Sequence, residues 1–170
     1  MTHQGRVRLL PRIVAFVVAL GLMVILGSAA HSLLVQRAWS NAAGQADGTG
    51  PASIPFTDRI SWAAHDLGGM IKPYAALTAI ALLIAFLAAG LLARFTGRRV
   101  IVFALAGAVA MITLFTALRM VLGTVGIFGA RGAIGLAAQM AAGVIASVVF
   151  ARLTSPDEIG FRAQTPRQTF

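Results

Sequence analysis

The sequence predicts an all-α, polytopic membrane protein: a four-transmembrane-helix bundle with a short external interfacial helix. Three observations predict it. Hydrophobic residues make up 58% of the chain and charged residues only 11%, with a mean hydropathy of +0.85, whereas a soluble domain carries about 25% charged residues. The apolar residues collect into four blocks, Ile13–Val35, Pro73–Ala93, Val100–Leu122 and Ala133–Ala151, each close to the ~20 residues a helix needs to cross ~30 Å of hydrocarbon. No stretch alternates in polarity as the strands of a membrane barrel do.

Residues 1–12 form a basic lead-in to the first block and are expected in the cytoplasm. Residues 13–152, with the external loop 36–72, read as one transmembrane domain, and 153–170 as a polar cytoplasmic tail with Pro156 and Pro166. The first block has a rival reading as a signal peptide, since a basic start and an apolar run precede the small residues Ser28-Ala29-Ala30. The apolar run is longer than a usual signal core and continues through Leu33, Leu34 and Val35, which favours a retained helix.

The segment Gln36–Gly50 is rich in Ala, Gly, Gln and Asn and ends in the turn signal Gly48-Thr49-Gly50-Pro51, so a flexible loop is expected there. The interfacial helix follows. Phe56, Ile60, Ala63, Ala64 and Leu67 recur at helical spacing against polar Asp58, Arg59, His65 and Asp66; Thr57 is placed to cap it and Trp62 suits an interface. Gly68-Gly69 is expected to end it, with Pro73 in the first turn of the second span.

The second span carries an alanine stripe, Ala81, Ala85 and Ala89, and the fourth a face of Gly135, Gln139, Gly143 and Ser147. Small residues four apart let helices approach where lipid supplies no hydrophobic drive, and Gln139 can bond across such a face. Short links at 95–99 and 123–129 make the last three spans antiparallel neighbours, the second link continuing a glycine repeat at 123, 126, 129, 132 and 135.

The formal charge of +9 does not indicate nucleic-acid binding, because the basic residues sit at the ends of apolar blocks rather than along one surface. Arg6, Arg8, Arg12, Arg94, Arg98, Arg99, Arg152, Arg162 and Arg167 fall on one side, and Arg37, Arg59, Lys72 and Arg131 on the other. The excess of positive charge on cytoplasmic loops then puts both termini in the cytoplasm, and a bacterial inner membrane is the expected location. The chain has no cysteine, which removes disulfides and thiolate chemistry.

Candidate functional residues gather on the external side. Arg119 stands one turn inside the outer end of the third span, where a charge costs ~2.5–3.5 kcal/mol on the lenient insertion scale, so it either snorkels or pairs with Asp66. His31, His65, Tyr74, Lys72, Arg131 and Trp62 belong to the same side. Haem ligation by His31 and His65 and quinone binding are the cofactor chemistries left open. The midplane holds almost no ionisable residue, which argues against an ion-coupled pump, and no hydrolase, metalloprotease or phosphate-loop motif is present. The leading expectation is an accessory subunit of a larger membrane complex, or a homo-oligomer, surrounded by membrane lipid. The alternative is a small protein that recognises an anionic lipid, quinone or similar amphiphile at the outer leaflet.

Overall fold

The structure, a computed structural model, describes residues 3–48, 50–122 and 132–155. It contains four long helices: α1 His3–Asp47, α2 Phe56–Thr96, α3 Arg99–Leu122 and α4 Ala133–Leu153. Each includes a stretch long and apolar enough to cross a membrane. The expected four-helix, polytopic membrane bundle is what forms.

The helices neighbour one another in the cyclic order α1–α2–α3–α4, with α4 closing against α1. Paired contacts run in opposite chain directions, Phe16 with Phe86 and Gly27 with Tyr74 for α1 and α2, and Phe103 with Phe150 and Gly107 with Gly143 for α3 and α4. The chain therefore goes up and down the bundle in sequence. The core includes Ala19, Met23, Leu82, Phe103, Met111 and Ala146, one or more from every helix. Because α1 supplies Ala15, Ala19, Met23 and Val24 to this core, it is a structural member of the bundle.

Three boundaries differ from the sequence-based expectation. The segment after the first span is helix through Asp47, not loop, because Ala38, Ala42, Ala43 and Ala46 are strong helix formers and outweigh Asn41 and Gly44. The lead-in is also helical from His3, continuing through Pro11 at the loss of one backbone bond. The segment read as an interfacial helix is helical as its spacing predicts, but it runs unbroken into the second span. Gly68 and Gly69 keep helical dihedrals, since the only glycines with positive φ among the described residues are Gly48, Gly50 and Gly97.

Helix ends have identifiable causes. Pro55, rather than Thr57, occupies the cap position of α2, and Thr57 instead lies inside the first turn near Asp58. At the other end Gly97 turns left-handed, φ 66°, and its N–H reaches back to the carbonyl of Ala93, closing α2 and reversing the chain within two residues. The return between α1 and α2 is pinned by Ser40, whose hydroxyl donates to the carbonyl of Ala52 while the Ala52 N–H donates to the Ser40 carbonyl at 3.0 Å. Gly44 is required there, because a side chain would overlap the backbone of Gly50.

Candidate functional site

Polar side chains inside the bundle concentrate toward the end where α1 and α2 join. The Tyr74 hydroxyl, on α2, donates to Gln139 Oε1 on α4 at 2.7 Å, and Gln139 Nε2 donates to the Gly27 carbonyl on α1 at 2.9 Å. One side chain thus ties three helices. Tyr74 is 3% exposed and Gln139 1%, so neither bond competes with water and both are worth more than their surface equivalents. Gly27 has to be glycine for this geometry, because a methyl group would overlap the Tyr74 hydroxyl and Gln139 Oε1. Thr78, one turn along α2 and fully buried, lies beside the Tyr74 phenol. Ser28, His31, Ser32 and Gln36 are buried along the same helix, α1.

The other expected packing residues divide between two interfaces. On α4, Gly135, Gln139, Gly143 and Ser147 are all buried. Gly143 meets Gly107 of α3 so closely that a side chain on Gly107 would overlap Ser147 Oγ and the Gly143 carbonyl. Ser147 donates to that same carbonyl at 2.7 Å, satisfying its hydroxyl within its own helix. On α2, Ala81, Ala85 and Ala89 face α3 with a different result. Opposite them stand Ala106, Ala110 and Ala117, and small residues on both sides leave a groove of about 580 Å³ along the α2–α3 seam, lined by hydrocarbon apart from Thr113.

The opposite end is aromatic and basic. Phe86 stacks on Phe150 with centroids 4.3 Å apart, and Phe16 and Phe103 complete the cluster. Arg99 covers it, its guanidinium 4.8 Å from the Phe103 centroid. The same side chain donates to Thr154 Oγ1 at 2.6 Å and to the Ala151 carbonyl at 3.4 Å, placing a cation on the C-terminal end of α4 where the helix dipole favours one. Sequence reading assigned Arg99 only to topology. Its role was available from depth counting: Phe16, Phe103 and Phe150 all stand within four residues of an end-marking arginine, Arg12, Arg99 or Arg152.

Beyond the spans, Gln36 Nε2 donates to the Arg59 carbonyl and Arg59 Nε to the Ile54 carbonyl, each at 3.0 Å. Trp39 and Trp62 meet edge to face with centroids 5.5 Å apart. These contacts fix the start of α2 against the end of α1. They leave apolar side chains of this segment uncovered: Phe56 is 76% and Ile60 54% exposed, and Trp39 stays half-exposed.

The candidates that the sequence assigns to the outer side do not converge on one site among the described residues. Tyr74 and His31 are buried, while His65, Lys72, Arg119 and Trp62 are exposed. Tyr74 is turned to Gln139 rather than toward those cations. The side chain of Asp66, and with it the Arg119–Asp66 pair, lies outside the described residues, as do Arg131, the 123–131 turn and the tail from 156. A haem would need two histidines facing one pocket, and a buried His31 with an exposed His65 does not supply that pair. No three potential metal ligands cluster among the described residues. The chain matches no protein-family model, no curated protein and no solved structure.

Proposed function

We propose that the protein is an accessory subunit of a larger membrane complex, held in an inner membrane with both chain ends on the cytoplasmic side. The observation that carries this reading is the exposed apolar edge of Phe56, Ile60, Trp39 and Trp62 on a segment that is otherwise tied down by hydrogen bonds. An ordered surface with uncovered aromatic residues beside Arg59 has the composition of a protein contact, in which aromatic residues and arginine are enriched. The buried polar groups support the same reading, since Gln139, Tyr74 and Arg99 are occupied in holding helices together. The orientation rests on Arg12, Arg94, Arg98, Arg99 and Arg152, which share the end of the bundle opposite the 48–55 return. The core contribution of α1 supports its retention in the mature protein.

Native mass spectrometry after gentle extraction from the source membrane tests the proposal. A larger protein should accompany the chain in fixed ratio, and the double substitution Phe56→Ser with Ile60→Ser should release it while helicity and monodispersity are kept. A chain that extracts alone, or only as copies of itself, contradicts the accessory role.

A further inference from the structure

We infer that the α2–α3 groove is a seat for an anionic phospholipid of the leaflet at the basic end, with one acyl chain against the alanines and the phosphate at Arg98. The groove is apolar along its length, as a hydrocarbon chain requires, and the lining residues Leu92 and Val102 bring it to the short α2–α3 link. Arg98 stands in that link. It directly precedes α3, its carbonyl accepting from the Val102 N–H at 3.1 Å, and so stands one turn from Val102, the first α3 residue that lines the groove. Its side chain is exposed and takes no part in any bond among the described residues, whereas the adjacent Arg99 is held by Thr154 and Ala151.

Charge complementarity selects the occupant. A hydrocarbon slot that ends near a guanidinium with no partner among the described residues matches a molecule with an apolar chain and an anionic head, and a guanidinium forks onto phosphate oxygens in a bidentate geometry. The acidic residues of the described helices, Asp47, Asp58 and Asp66, belong to the C-terminal end of α1 and the N-terminal part of α2, at the far end of the bundle. Depth agrees as well. Half of a ~30 Å hydrocarbon layer corresponds to about ten residues of helix, which, counted back from Ala93 just before Arg94, reaches Ile84 and takes in Ala85, Ala88 and Ala89. The sequence alone shows the alanine stripe but not this use of it, because the stripe has the same spacing whether it closes onto a helix or leaves room for a chain.

The test uses the full-length protein in nanodiscs of equal phosphatidylglycerol and phosphatidylcholine with matched chains, released into the gas phase so that retained lipids are counted. Wild type should keep one phosphatidylglycerol in preference to phosphatidylcholine. Arg98→Gln should lower that preference about five-fold without emptying the groove, while Arg152→Gln, at the same end but on α4, should leave it unchanged. Filling the groove with Ala85→Leu and Ala106→Leu should remove the retained lipid altogether. Should that double variant misfold, Ala88→Phe at the exposed rim gives the same readout with less strain on the packing. Equal retention of both lipids, equal effects of Arg98→Gln and Arg152→Gln, or a filled groove that displaces a second copy or another protein instead of lipid would each overturn the assignment.

Discussion

Gln139→Leu is the substitution that most directly probes how the bundle is held. The change keeps side-chain volume close to constant while deleting the two hydrogen bonds by which α4 holds Tyr74 of α2 and the Gly27 carbonyl of α1. Interhelical hydrogen bonds in membranes average about 0.6 kcal/mol and reach about 1.7, so losing two gives roughly 1–3 kcal/mol. The upper end applies if the buried Tyr74 hydroxyl is left without a partner. The assay is reversible unfolding in mixed micelles by titration with a denaturing detergent, followed by circular dichroism. A cycle with Tyr74→Phe isolates the Tyr74–Gln139 bond and should return a coupling of about 0.6–1.7 kcal/mol. A neutral Gln139→Leu together with zero coupling would mean that the buried amide contributes nothing to helix association.

Other substitutions have equally definite outcomes. Gly107→Ala drives a methyl group into the Gly143 carbonyl and Ser147 Oγ; it should cost about 1–3 kcal/mol in the same unfolding assay, and Gly21→Ala, where a methyl group meets open space, should cost nothing. Arg99→Lys keeps the charge but loses the forked geometry that serves Thr154, the Ala151 carbonyl and the Phe103 face at once, so a loss of about 1 kcal/mol is expected. The chain has only two tryptophans, and they meet edge to face, so their exciton couplet in circular dichroism reports on this one contact. Trp62→Phe should abolish the couplet while leaving helix content intact.

The spans were legible because length and hydropathy are one-dimensional properties: Val100–Leu122 and Ala133–Ala151 correspond to α3 Arg99–Leu122 and α4 Ala133–Leu153 almost residue for residue. Outside the hydrocarbon the same scale loses its force. Gln36–Asp47 is polar enough to read as loop, but its alanines make it helix, and Gly68-Gly69 reads as a stop only if one of them adopts positive φ, which neither does. The Gly135, Gln139, Gly143 and Ser147 face was legible from spacing alone, yet spacing could not say that Gln139 reaches Tyr74 or that Gly143 meets Gly107. Those pairings depend on the cyclic order of the helices and their relative depth. The alanine stripe of α2 shows the limit most clearly, since only the matching alanines of α3 turn a close-packing signature into a groove.

In an up-and-down bundle of four spans, the α1–α2 return and the α2–α3 link face opposite sides of the membrane. The absence of cysteine makes single-cysteine labelling straightforward, with Ser53→Cys and Thr96→Cys, both exposed, placed at the two connections and a membrane-impermeant maleimide applied to intact cells and to inverted vesicles. Residue 53 should be labelled only in intact cells and residue 96 only in inverted vesicles. Labelling of both positions from the same side would contradict this topology.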